Sequence, residues 1–117
     1  MRILLTCCMG MSTSLLVESM HQAAKKHHQE HQIWCIDQEQ VEKEVQHCDV
    51  LLLGPQIRHT YKRLYKAYAS FVPVIMIDAQ AYGRLDGEMV LNQAMEAIRQ
   101  YKENGNYLDF NEEEWKV

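Results

Sequence analysis

No apolar stretch in these 117 residues approaches the ~18 to 20 that a membrane-spanning helix needs. The apolar N-terminal run is also too short for a signal peptide and leads straight into polar Thr and Ser, so a soluble, cytoplasmic protein is expected. Positive charge is in deficit: 12 Lys and Arg against 16 Asp and Glu leave a net charge of −4, which argues against non-specific nucleic-acid binding. The four cysteines, Cys7, Cys8, Cys35 and Cys48, could form two disulfides. A domain of this size without a secretion signal needs no such staples, so reduced thiols are expected. There is no internal repeat. His27, His28 and His31 share helical spacing, but no carboxylate or cysteine is placed to complete a zinc site. They read instead as the cationic end of a helix, complementing its dipole, and no metal is expected.

What the chain does have is 47% apolar content, enough for one domain with a real core. It also has an unusual start. Arg2-Ile3-Leu4-Leu5-Thr6 is a short apolar run that delivers Cys7 into Cys8-Met9-Gly10-Met11-Ser12-Thr13-Ser14. After it Leu15, Leu16, Met20, Ala23 and Ala24 recur at helical spacing. The pattern is strand, tight loop, helix. Cys7 then stands beside a helix N-terminus, where unpaired N–H groups and the dipole favour a thiolate or a phosphate. Gly10 relaxes the backbone, while Ser12, Thr13 and Ser14 offer hydroxyl donors and N-caps.

Further strands are expected at Ile33-Trp34-Cys35-Ile36, at Asp49-Val50-Leu51-Leu52-Leu53 and at Val74-Ile75-Met76-Ile77-Asp78. The second of these is apolar without alternation, as for a central parallel strand buried on both faces. Val41, Val45 and Cys48 give residues 38–47 the period of an amphipathic helix, and Cys35 and Cys48 read as packing residues. Gly54-Pro55 opens another helix, with Ile57, Tyr61, Leu64 and Tyr68 on one face. Its Arg58, Lys62, Arg63 and Lys66 form a solvated face or a docking surface for an acidic partner. Residues 79–86 read as a loop containing Tyr82-Gly83, and Gly87 leads into a last helix carrying Leu91, Met95 and Ile98. Beyond residue 103 the chain turns acidic with isolated aromatics, so the domain is set at 1–103 and residues 104–117 are an acidic C-terminal tail, either docked or unstructured. Four strands alternating with helices imply an α/β, doubly wound, single-domain four-stranded parallel sheet of order 2-1-3-4. Ligands in such sheets bind outside the carboxyl ends of the strands, which puts Cys7, Gln56 and the 78–82 segment on one rim.

The string Cys7-x-x-Gly10-Met11-Ser12-Thr13-Ser14-Leu15-Leu16 after an N-terminal strand resembles the active-site signature of the IIB component of the lactose/cellobiose (chitobiose) branch of the bacterial phosphoenolpyruvate-dependent sugar phosphotransferase system. Leu53-Gly54-Pro55-Gln56-Ile57, Ile77-Asp78, Tyr82-Gly83 and Asp86-Gly87 resemble later segments of that family in the same order, and the likeness spans roughly residues 1–102. The resemblance implies that Cys7 takes a phosphoryl group from a phosphohistidine of the IIA component. The group then passes to a disaccharide of the cellobiose, chitobiose or lactose class entering through the membrane component IIC, with which a cytoplasmic protein would associate peripherally. No cofactor is required. The amides and hydroxyls from Cys8 through Ser14 would cradle the phosphate, and an apolar surface around Met9 and Met11 would help dock partners.

A rival reading is hydrolytic. Cysteine, five residues, arginine and a serine or threonine resembles the phosphate loop of low-molecular-weight tyrosine phosphatases, whose fold the domain is expected to share. Here Thr13 stands in the arginine's place and cannot clamp two phosphate oxygens. A thiol reductase and a non-catalytic regulatory module on the same fold are further alternatives. Cys8 competes as nucleophile, but it matches a variable position of the motif, and adjacent cysteines form a disulfide only with strain. Gln56 and Tyr82 are weaker candidates to line the site, Tyr82 being equally a loop aromatic packed under the rim. Asp78 either handles a proton or caps the following turn.

Overall fold

The computed structural model describes residues 1–7 and 11–105, with the side chains of Met11 and Ser12 outside the description. The apolar run at the start forms β1 (Arg2–Cys7), followed by α1 (Met11–Lys26), β2 (Gln32–Asp37), β3 (Val50–Leu53) and β4 (Val74–Met76). All pairings are parallel, and the order is β2-β1-β3-β4, as the alternation of strands and helices predicts. All four residues of β3 are buried, which is why its sequence shows no polar alternation.

Helices cover both faces. Ile3, Leu5, Val50 and Leu52 face Leu16 and Met20 of α1 and Val90, Leu91 and Ile98 of the last helix. Leu4, Leu51 and Leu53 point the other way, onto Val41, Val45, Ile57, Tyr61 and Leu64. Each such side chain taken fully from water contributes about 1.5–3 kcal/mol, so the two apolar layers are the main source of stability. Because β1 alternates, Cys7 follows Leu5 onto the α1 side.

Three expectations are corrected. Residues 38–47 form a 3-10 turn (Gln38–Gln40), a single α turn, α2 (Val41–Glu44), and a second 3-10 turn (Val45–His47), not one helix. Val41, Val45 and Cys48 are buried as the period requires, but both ends of the segment are wound more tightly, the Val41 N–H donating to the Gln38 carbonyl and the Cys48 N–H to the Val45 carbonyl. The segment after Gly54 begins as a 3-10 turn (Pro55–Thr60), kinked at Ile57, and becomes regular only in α3 (Tyr61–Tyr68). Residues 79–86 are not simply a loop: Ala79–Gly83 is a short helix, α4, before α5 (Gly87–Glu103). The Asp78 carboxylate caps α4 by accepting from the Ala81 N–H at 2.9 Å. Gln93 of α5 ends β4 early, donating to the Met76 carbonyl at 2.8 Å and accepting from the Asp78 N–H at 3.1 Å.

At the far end of α1, His28 takes a left-handed φ of 56° and the chain closes with Lys25 and Lys26 in the last turn. His27 pairs with Glu88 of α5, and His31 bonds Gln29. Among the described residues no three metal-ligating side chains converge.

Candidate active site at the carboxyl end of β1

β1 ends at Cys7, flanked in register by Asp37 of β2, and Gly54 beyond β3 donates its N–H to the Thr6 carbonyl at 2.9 Å. The first turn of α1 faces this point and contains no acidic residue to compete for an anion. Cys7 is only 5% exposed. The hydroxyl of Thr13, itself 1% exposed, donates to Cys7 Sγ at 2.8 Å. Thr13 Oγ1 also lies 3.1 Å from Tyr82 Oη, so β1, α1 and α4 meet through one line of polar atoms inside the domain.

Gly54 sets the other wall. A Cβ placed on it would come within 2.7 Å of Gln56 Oε1 and 3.3 Å of Cys7 Cβ. The exposed Gln56 therefore folds back over Gly54 beside the cysteine, a position only glycine leaves open.

The structure thus brings Cys7, Thr13, Tyr82 and Gln56 together. Asp78 does not join them: its carboxylate is engaged as the cap of α4, the structural alternative for this residue. Ser14 is exposed and points at Cys35, with Oγ and Sγ 3.9 Å apart. Met11 and Ser12 start α1, while Cys8, Met9 and Gly10 lie outside the described residues, as does the tail from residue 106 onward. The direct Thr13 contact with sulfur, and its link to Tyr82 across 69 positions of sequence, have no signature in local spacing.

A surface cleft of about 670 Å³ lies elsewhere, at the amino ends of the strands, lined by Arg2, His21, His31, Gln32, Trp34 and His47. It shares no residue with the Cys7 constellation, and cleft size is no guide here, because a thiolate nucleophile needs a donor-lined rim and not a deep pocket.

The profile of the family described as "PTS system, Lactose/Cellobiose specific IIB subunit" matches residues 2–93. The chain is 37% identical over 95 residues to the oligo-beta-mannoside-specific EIIB component of Bacillus subtilis (strain 168), spanning 80% of this chain and 92% of the relative. It is 36% identical over 98 residues to the cellobiose-specific EIIB component of Lactococcus lactis subsp. lactis (strain IL1403), spanning 79% and 91%. In structure it resembles the cellobiose-specific IIB component protein from Borrelia burgdorferi, with a TM-score of 0.73 and 37% identity over 86% of this chain and 93% of that one. The lactose-specific IIB domain from Streptococcus pneumoniae shares the fold at a TM-score of 0.73 and 15% identity, over 83% and 96%. Matched by profile, sequence and fold, the chain belongs to the lactose/cellobiose-specific IIB family of the sugar phosphotransferase system.

Proposed function

We propose that this IIB component is a phosphocysteine carrier, with Cys7 as the nucleophile. The Cys7 thiolate attacks the phosphorus of a IIA phosphohistidine. The S–P bond forms as the P–N bond breaks, and the imidazole nitrogen leaves with the electron pair. A sugar hydroxyl at the IIC permease then attacks the same phosphorus, the S–P bond breaks, and the thiolate returns as the hydroxyl proton is released. Protein-assisted phosphoryl transfer depends on positioning and charge stabilisation rather than on covalent help, so the donors around the sulfur are the machinery.

The observation that carries this reading is the buried Thr13 hydroxyl donating to Cys7 Sγ at the first turn of α1. The Thr13 hydroxyl is the cradle's side-chain donor at the sulfur, and the amides of the segment 8–14 would supply the rest, as the family resemblance implies. Gln56 lines the outer wall, and residues 1–103 are the transferring domain, with 104–117 an acidic extension. The protein works in the cytoplasm against the inner face of its membrane partner. The disaccharide is of the cellobiose, chitobiose or lactose class, and its identity is chosen by IIC. Relatives named for oligo-beta-mannoside, galactose and cellobiose at 36–37% identity support a chain that does not itself select the sugar. Threonine in place of the phosphatase arginine favours onward transfer over hydrolysis, since no guanidinium clamps the phosphoryl oxygens.

The test is intact-protein mass with peptide mapping after incubation with phosphoenolpyruvate, the general phosphotransferase proteins and an active IIA. One labile phosphoryl group on Cys7, lost in Cys7→Ser and kept in Cys8→Ser, is expected. No phosphoryl group, or one lost only in Cys8→Ser, would overturn the assignment, and Cys7-dependent hydrolysis of a phenyl phosphate ester would transfer it to the phosphatase reading.

A further inference from the structure

The line of atoms Tyr82 Oη, Thr13 Oγ1, Cys7 Sγ can be read by counting protons. A threonine hydroxyl has one proton and two lone pairs. Thr13 gives its proton to sulfur at 2.8 Å, so toward Tyr82, 3.1 Å away, it can only accept, and the Tyr82 O–H must be the donor. In the reverse direction the sulfur would face an oxygen lone pair, an arrangement that suits a thiol S–H and not a thiolate. The Tyr82 proton therefore selects the orientation of Thr13 in which a negative sulfur is satisfied. Hydrogen bonds in such chains also polarise and strengthen one another.

Tyr82 is held for this task from both ends of α4. At the start, Asp78 caps the helix and Gln93 of α5 grips the Met76 carbonyl and the Asp78 N–H. At the end, Ser19 of α1 donates to the Leu85 carbonyl at 2.8 Å and accepts from the Gly87 N–H at 3.0 Å. Leu85 is held there at a φ of 53°, a left-handed conformation that side chains disfavour and that persists only when its surroundings impose it. A tyrosine merely filling space needs neither the aim of its hydroxyl nor these bolts.

We propose that Tyr82 is a positioning residue for phosphoryl transfer, its buried hydroxyl keeping the Thr13 proton on the Cys7 sulfur whenever that sulfur is anionic, as attacking nucleophile and as leaving group. The inference rests on the phosphocysteine reading above. Tyr82 touches neither phosphorus nor partner; it acts through Thr13.

The experiment is rapid-quench, single-turnover transfer from excess phospho-IIA to the full chain and to Tyr82→Phe, Thr13→Val, Thr13→Ser, and the Thr13→Val and Thr13→Ser double variants with Tyr82→Phe, with the wild-type phosphorylation site mapped first. Here kcat is the limiting transfer rate at saturating phospho-IIA and KM its half-saturating concentration. Tyr82→Phe is expected to lower kcat roughly three- to tenfold, the scale of one hydrogen bond acting indirectly on a charge. KM for phospho-IIA should be unchanged, because the Tyr82 hydroxyl is engaged with Thr13 Oγ1 and acts on the sulfur, not on partner docking. In Thr13→Val the same change should have no further effect, whereas in Thr13→Ser, which keeps the hydroxyl, the dependence on Tyr82 should survive. Wild-type kcat in Tyr82→Phe, or an equal loss in the Thr13→Val background, would overturn the proposal and leave Tyr82 a packing residue. A wild-type chain not phosphorylated on Cys7 would instead bring down the carrier reading on which the proposal stands.

Discussion

Gly87 is the first residue of α5, and its backbone lies almost on that of α1. A Cβ at this position would fall 2.3 Å from the Ser19 carbonyl carbon, 2.4 Å from the Met20 nitrogen and 2.5 Å from the Ser19 oxygen. Carbon contacts settle near ~3.5–4.0 Å, so Gly87→Ala must part the two helices by about 1 Å. All three obstructing atoms are backbone, so no side chain can rotate away. Overpacking in a core typically costs ~1–3 kcal/mol, and here the upper end applies, because α1 and α5 share the layer holding Leu16, Met20, Val90 and Leu91. Reduced freedom of the unfolded chain returns ~0.4–1 kcal/mol. The net expectation is a loss of about 2–3 kcal/mol, or a fall in Tm of roughly 10 °C in a domain of this size. Gly83 supplies the control. Nothing lies within 4 Å of a Cβ there and the residue is exposed, so Gly83→Ala should be neutral or mildly stabilising. Urea unfolding of the two variants beside wild type decides it. Gly87→Ala within about 0.5 kcal/mol of wild type, or two equally damaged variants, would refute the close-approach argument.

Other consequences are as direct. Thr6 is fully buried on the face opposite Cys7, and its hydroxyl has no partner among the described residues; Thr6→Val should stabilise the fold by about 1 kcal/mol in denaturant unfolding, and a loss would show that the hydroxyl is satisfied. Burial, seconded by the charge of Asp49, pushes the Cys48 thiol up to about 12. Iodoacetamide at pH 8–9 should therefore leave Cys48 unmodified in the native protein and label it once urea is added, as peptide mapping would report. At Asp49, burial alone would raise the carboxyl, but the hydrogen bonds from the Arg2 side chain and N–H outweigh it and hold it below the ordinary aspartate value. A depressed folded value means the stabilisation is complete above the unfolded aspartate value of ~3.9 and is lost as pH falls through the lower folded one. Asp49→Asn should thus reduce stability at pH 7, with a deficit that shrinks as pH falls below the ordinary aspartate value; a deficit independent of pH would assign its role to packing.

Much of the fold could be read along the chain because burial leaves a periodic trace. The unbroken Val50–Leu53 run announced a strand covered on both sides, and the alternation of strands and helices allowed few topologies, of which 2-1-3-4 is the one observed. Core positions at helical spacing, such as Leu16, Met20, Leu91 and Ile98, were legible for the same reason. The α4 helix was not, because five residues carry no period, and this helix exists through the Asp78 cap and the Gln93 grip on β4 from a helix ten residues farther on. Residues 38–47 misled in the opposite way: their period is real, but 3-10 turns at both ends leave only Val41–Glu44 as α-helix, and i→i+3 closure carries no separate signature in the apolar spacing.

The sequence by itself determined that Cys7 would stand at the carboxyl end of a central parallel strand, and to which family the chain belongs. Those properties depend on motif spacing and hydrophobic pattern, which are local. Tertiary structure alone decided what surrounds the sulfur: that Thr13 turns inward to reach it, that Tyr82 completes the line from α4, that Asp78 is spent on a helix end, and that Gly87 lets α5 close on α1. A hydrogen bond between residues 69 positions apart is made by the packing of whole elements, and no stretch of either segment encodes it alone.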